Sequence, residues 1–225
     1  PEVGFIHFFS TKRITSVDDI RKLRIWLWQG DPLGEAFFKA SNINPIPLSI
    51  IDVYTQLSAK HGGIDTVYTS TFGAIALQWY SKLKYATRIP LTNAIGGLVV
   101  SNRFYNKLPE DLQQLLKTTG KAMSDEIRLN ARDENRKSIG ILEKNGIEFM
   151  FDWDEVNMDE LLAIRDSAAA YLEQTDYIPA SVFAKTEKLL AEYRNQQVNA
   201  SDADPEQAQA SSEPSSQSPA KDISD

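Results

Sequence analysis

The chain has 225 residues, enough for one large domain or two small ones, and 42% of them are hydrophobic. Its net charge is −7, but from Val198 onward six acids (Asp202, Asp204, Glu206, Glu213, Asp222 and Asp225) stand against Lys221 alone, so that tail carries −5 and residues 1–197 only −2. A nearly neutral body has no basic field to hold nucleic acid or an anionic membrane. The lack of cysteine excludes a disulfide scaffold, a thiol nucleophile and a Cys-ligated metal, and no apolar run reaches the roughly 20 residues of a membrane span, so direct membrane insertion is not expected.

Residue 1 is Pro, with neither an initiator Met nor a signal peptide, so the chain reads as processed or as a fragment. Residues 5–9 predict a buried strand in which His7 is a packed or strand-face histidine. Ser16 caps a short helix with Asp18 and Asp19 in its first turn, where the helix dipole favours acids. Leu23–Trp28 is the first organising strand. Asp31-Pro32 then opens a helix to Ala40, with Asp as N-cap and Pro in the first helical position; Leu33, Ala36, Phe37 and Ala40 share one face. After an extended piece at Asn44–Leu48, Ser49 and Asp52 give a weaker capping signal for a helix from Ile50 to Ala59 that presents Val53, Tyr54 and Leu57. Lys60-His61-Gly62-Gly63 is a turn. Its glycine pair lacks the lysine and following helix N-terminus of a phosphate loop. Ile64–Tyr68 is the second organising strand.

Strand and helix alternate here on the period of a parallel α/β sheet, so both organising strands send their carboxyl ends to one edge, where open α/β sheets carry ligands. That edge receives Trp26, Trp28 and Tyr68, a pocket wall rather than a catalytic set. Trp26 and Trp28 share one strand face, and a core position under the helices is open to both.

Further on, Phe72–Trp79 predicts an apolar helix, Lys84–Thr87 a strand and Gly96–Ser101 a central buried strand. A long helix starts at Leu108-Pro109-Glu110 and persists to Lys144, where Asn145-Gly146 ends it; a bend near Gly120 or Gly140, or a bridge between two lobes, would suit its length. Glu148–Phe151 is a short strand, and helices from about Met158 to Glu173 and Ala180 to Arg194 complete an ordered part of residues 1–197. Residues 198–225 form an acidic Ser/Ala/Gln/Pro-rich tail that cannot bury enough apolar surface to order. The acids Glu126, Asp133 and Glu134 mix with Arg128, Arg132 and Arg136 on a solvated, ion-paired helix face. No Ser-His-Asp order, His-x-x-His spacing or paired-carboxylate cluster stands out, so no catalytic residue, metal or cofactor is expected.

Four stretches in this order and spacing resemble TRAP-type (tripartite ATP-independent periplasmic) solute-binding proteins. These are Ser16–Ile25, Asn44–Leu48 with Asp52-Val53-Tyr54, Gly63-Ile64-Asp65, and Val100–Tyr105 followed by Leu108–Gln113. The resemblance covers about residues 4–195. It implies an α/β, two-lobe, type II-like periplasmic-binding-protein fold with mixed or parallel sheets and a long inter-lobe helix, and a missing N-terminal third. It also implies a periplasmic, non-enzymatic receptor that closes on a small organic ligand and delivers it to membrane permease subunits.

Typical members carry an Arg at the position of Trp26, whose planar fork holds the ligand carboxylate. A carboxylate buried without that partner would lose on the order of 3–5 kcal/mol, roughly a hundred- to several-thousand-fold in affinity. Arg24 lies two positions earlier on the same strand face, before the carboxyl end. Tyr68 and Thr69 likewise fall where typical members place an acid and an amide. The chain is most similar to a subgroup with a Trp-x-Trp strand (Trp26-Leu27-Trp28), Gly30-Asp31-Pro32 and Ala76-Leu77-Gln78-Trp79. The expected ligand is therefore apolar or amphipathic, and the candidate ligand-binding residues are Trp26, Trp28, Tyr68, Thr69, Trp79 and Asn93. A second hypothesis, from a different class, is a protein-interaction subunit that acts through an exposed sheet edge.

Overall fold

The computed structural model describes residues 1–59, 63–150, 157–175 and 177–203. The chain divides into two compact units, Pro1–Ala170 and Tyr171–Asp225. In the first, β1 (Glu2–Ser10) leads to α1 (Val17–Arg21), β2 (Trp26–Trp28), α2 (Pro32–Ala40), β3 (Ile46–Leu48), α3 (Val53–Leu57), β4 (Thr66–Ser70), α4 (Thr71–Ala76), β5 (Tyr85–Thr87), β6 (Thr92–Ile95), α5 (Asn102–Tyr105), α6 (Glu110–Lys144) and β7 (Glu148–Met150). Helix α7 (Met158–Gln174) crosses into the second unit, which holds α8 (Ala180–Ala203).

The sheet is mixed. β4, β1, β5 and β7 lie side by side, with β1 antiparallel to β4 and β5, and β5 parallel to β7. β6 pairs with the amino-terminal half of β1 (Phe5 opposite Asn93), past a register shift between Glu2 and Gly4. β2 and β3 pair in parallel, and the bridge between Ile25 and Thr66 joins them to β4 in the same direction. β2, β3, β4, β5 and β7 therefore all point one way and β1 alone opposes them.

Alternation along β2 builds a core on each side of the sheet. Trp26 joins Phe9, Val53, Leu57, Val67, Trp79, Leu142 and Ile147 in one cluster, while Ile25 and Leu27 join Phe8, Ile14, Phe38 and Ile43 in the other. The predicted caps at Ser16 and Asp31 form where the side chain can reach a free N–H: Ser16 accepts from Asp19 N and Asp31 from Gly34 N; Ser70, which the sequence reading did not single out, likewise accepts from Gly73 N.

Several expectations need correction. The predicted buried strand at Gly96–Ser101 is not one: the strand is Thr92–Ile95, and Leu98, Val99 and Val100 are exposed, Val99 to 93%. An apolar run specifies burial only where enough of the fold packs on it, and here Leu98 and Val100 are no more than partly covered. On α2 the buried residues are Ala36 and Phe38, while Leu33 is exposed, because the helix turns Phe38 down onto Tyr68 and Phe37. Ser49 makes no capping hydrogen bond; Ile50–Asp52 is a single tight turn before α3, and Tyr54 is exposed. The apolar helix predicted to reach Trp79 stops at Ala76, where Gln78 enters the left-handed region (φ 57°) and a tight turn, Trp79–Lys82, follows. The second organising strand sits two residues later than expected, since Asp65 turns its carboxylate back to accept the Arg24 N–H at 2.8 Å. Of the Lys60–Gly63 turn, only Gly63 lies within the described residues.

Helix α6 runs unbroken for 35 residues through Gly120 and Gly140 and ends at Asn145, with Gly146 at φ 88°. Helix α8 continues to Ala203, past Val198; residues 204–225 lie outside the described residues.

Candidate functional site

Because β2, β3 and β4 run parallel, Trp28, Leu48 and Ser70 end at a common edge. Tyr68 ties that edge together. Its hydroxyl donates to Asp31 Oδ2 at 2.7 Å and accepts the Trp28 backbone N–H at 3.2 Å, while Asp31 Oδ1 takes the Gly34 N–H at 3.0 Å. One carboxylate thus caps α2 and anchors a ring on β4. Burial pushes the Tyr68 hydroxyl well above the ordinary tyrosine range; the Trp28 N–H opposes this and the Asp31 carboxylate reinforces it. Gly34 makes the approach possible: a Cβ there would lie 2.8 Å from Asp31 Oδ2, 2.8 Å from a Leu27 methyl and 3.0 Å from the Tyr68 hydroxyl.

The structure brings Trp26, Tyr68 and Trp79 together. The Trp26 ring stacks on Tyr68 (centroids 5.3 Å, planes 24° apart) and meets Trp79 edge-on (5.2 Å, 79°), and its Nε1–H donates to the Leu48 carbonyl at 3.0 Å. With 4% of its surface accessible and its one donor engaged, Trp26 is a core residue, contrary to its expected place as the gripping surface. Trp79 is likewise buried. Trp28 is the indole that stands open, at 54%. Thr69 is half-buried opposite His7 on β1, and a Cβ on Gly73 would meet its Oγ1 at 2.5 Å. Asn93 is not part of this edge: it lies on β6, across β1 from β4, and its Nδ2 donates to Glu2 Oε1 at 3.2 Å.

A residue that sequence reasoning missed stands behind the edge. Asn135, on α6, accepts the Phe72 N–H at 3.1 Å and donates to the Val3 carbonyl at 2.9 Å, and its backbone carbonyl takes the Thr71 hydroxyl at 2.8 Å. It so joins α6 to the first turn of α4 and to β1. Gly4 (φ 130°) makes room, since a Cβ there would fall 2.5 Å from Asn135 Nδ2. The only local signal was an amide amid the charges of a helix face that reads as solvated.

Arg24 enters β2 at its amino end, opposite the edge just described. Its Nη2 is buried and has no hydrogen-bond partner among the described residues. His7 Nδ1 lies 2.8 Å from the Thr87 carbonyl, and burial holds its pKa below the usual histidine value against that hydrogen bond. Among the described residues no group of His, Asp or Glu is arranged to hold a metal ion, and no helix is long and apolar enough to cross a membrane.

Residues 1–173 match the family described as bacterial extracellular solute-binding protein, family 7. Similar solved structures include a TRAP periplasmic solute-binding protein from Rhodobacter sphaeroides in an apo, open state (25% identity, TM-score 0.61, 78% of this chain and 55% of that one). DctP7, a Bordetella pertussis extracytoplasmic solute receptor binding pyroglutamic acid, is 19% identical (TM-score 0.66, 86% and 60%). A TRAP periplasmic solute-binding protein from Desulfovibrio salexigens with bound orotic acid is 16% identical (TM-score 0.65, 88% and 61%). The two-lobe α/β fold expected from the sequence is the one these structures share, over the part this chain spans, which is 55–61% of their lengths. No functionally curated protein matches the chain.

Proposed function

The chain belongs to bacterial extracellular solute-binding protein family 7, and on that premise we propose that it is part of the extracytoplasmic receptor of a TRAP-type transporter. In this reading it is a periplasmic, non-enzymatic protein that binds a small amphipathic organic solute at the carboxyl edge of β2, β3 and β4. It then hands the solute to a membrane permease. The observation that carries it is the open Trp28 indole, 54% exposed at the end of a parallel strand and backed by the Tyr68–Asp31 hydrogen bond. An exposed tryptophan on a rigid strand end supplies apolar contact area at little conformational cost. The small organic acids bound by the Bordetella and Desulfovibrio proteins support a ligand of that size.

Native mass spectrometry of the chain, expressed with whatever residues adjoin it in its gene, tests the reading directly. A co-purified small molecule that is lost on Trp28→Ala is the expected result. A ligand-free spectrum, together with no thermal shift from a panel of small organic solutes, would refute it.

A second reading is favoured by the exposed apolar run from Ile95 to Val100 beside β6. Such a run suits pairing with another polypeptide. Light scattering on a sizing column separates the two: a monomer that binds a small solute excludes a purely protein-binding role.

A further inference from the structure

The two ends of β2, β3 and β4 differ in what they leave uncovered. In the three residues before each strand (23–25, 43–45 and 63–65) every large aliphatic side chain, namely Leu23, Ile25, Ile43 and Ile64, is buried. At the carboxyl ends the reverse holds. Trp28, which closes β2, Ile50 and Ile51, just after β3, and Phe72, just after β4, all stand open, Ile51 to 81%. β2 lies between β3 and β4. Neighbouring strands are about 4.8 Å apart, so these open side chains are spread along a rim roughly 10 Å wide. Exposed apolar residues scattered singly carry no message, but a set gathered on one edge of a sheet and missing from the other marks a binding surface.

Charge plays little part on this rim. Within three residues of the three carboxyl ends the charged side chain is Asp31, whose two oxygens already accept the Gly34 N–H and the Tyr68 hydroxyl. The cations of the neighbouring elements belong elsewhere. Lys39 is in the last turn of α2, about 10 Å along that helix from its start. Lys82 holds its Nζ 5.1 Å over the Tyr54 ring, two residues before Lys84, whose N–H meets the Ser10 carbonyl beside the amino end of β4. On α6, Arg132 donates to Glu2 Oε2 at 2.6 Å. What the rim offers a solute is apolar contact area.

We infer that the solute has an extended hydrocarbon body that lies across the ends of β3, β2 and β4, touching Ile50 and Ile51, Trp28 and Phe72 in turn. Its affinity is then set by the apolar area it buries there rather than by an ion pair to its head. This rests on the receptor reading above, and it asks for a longer and more apolar body than the acids bound by the solved relatives.

A homologous series tests it: n-butanol, n-hexanol and n-octanol, titrated against the tryptophan fluorescence of the full chain and checked by calorimetry. A fully buried methylene is worth about fourfold in affinity. On this open rim each should give at least about twofold, hence about 15-fold or more from n-butanol to n-octanol. Octanoate and octylammonium should bind within about threefold of n-octanol, equally at about 20 and 500 mM salt. Ile51→Ser and Phe72→Ser, on the two outer strands, should each lower the ratio of octanol to butanol affinity at least about threefold. Trp28→Ala, on the middle strand, should weaken every member of the series. All three side chains are exposed, so the fold is not at stake. If chain length has no effect, if octanoate binds best and loses affinity with salt, or if both outer variants leave the ratio unchanged, the inference is overturned and the receptor reading stands. If no alkyl probe binds, the inference is likewise overturned, and the receptor reading falls with it only when the panel of small organic solutes fails too.

Discussion

The Tyr68 hydroxyl and the Asp31 carboxylate, 37 residues apart, meet at 2.7 Å and fix the end of β2 between them. Removing the hydroxyl alone separates this link from ring packing. Tyr68→Phe keeps the stack on Trp26 but leaves the Trp28 N–H without its acceptor, and should cost about 1–2 kcal/mol. Urea unfolding read by circular dichroism measures it. Because burial raises the folded pKa of this group, its linkage runs with alkali: stability is intact below about pH 10, where unfolded tyrosine ionises, and falls above it. Tyr68→Phe should reduce that alkaline loss.

Gly34→Ala puts a methyl 2.8 Å from both a Leu27 methyl and Asp31 Oδ2. Alanine normally improves a helix interior, by roughly 1 kcal/mol over glycine. Here the clash should outweigh that gain and leave a net loss of about 1–3 kcal/mol. A stabilised Gly34→Ala protein would show that Tyr68 and Asp31 can separate freely.

The two tryptophans of β2 should respond in opposite ways. Trp26→Ala removes a buried ring that contacts Tyr68 and Trp79 and should cost about 3–5 kcal/mol of stability. Trp28→Ala, at an exposed position, should change stability by no more than about 0.5 kcal/mol while weakening solute binding. Paired unfolding and binding curves on both variants check this.

His7 gives the acid side of the stability profile. Its folded pKa lies below the unfolded value of about 6.5, chiefly through burial, so its contribution is complete above pH 6.5 and is lost as pH falls through the folded pKa. His7→Gln should flatten urea midpoints between about pH 7 and 5. An unchanged slope in that window would place the acid sensitivity in other groups.

Asn135→Leu removes the partner of the Phe72 N–H and of the Val3 carbonyl together and, since water can reach both, should cost about 1–2 kcal/mol. Hydrogen exchange should show faster exchange at Phe72 and along the amino-terminal half of β1. The double variant with Gly4→Ala should lose less than the sum of the two single losses, since both act on one contact.

Legibility followed sequence distance. The caps at Ser16, Asp31 and Ser70, the extent of α2, the long α6 and its glycine stop are all decided within a few residues, and periodicity or a cap was enough to read the two helices and the caps at Ser16 and Asp31. The aromatic content of the candidate edge was also visible, because strand alternation on β2 and the family resemblance put Trp26, Trp28 and Tyr68 side by side. Their roles were not: which indole is core depends on Trp79 and Leu48 arriving from 53 and 22 positions away. Asn93 lies away from this edge for a related reason, since β1 comes between it and β4.

By itself the sequence determined the order of strands and helices, the common direction of β2 and β4, and the family, because each is written in local pattern. Tertiary structure alone decided that Trp26 is sealed while Trp28 is open, that Asp31 serves Tyr68 as well as its own helix, and that the apolar run after β6 stays uncovered. Burial and hydrogen bonding are properties of what packs against a residue, and those partners come from distant parts of the chain.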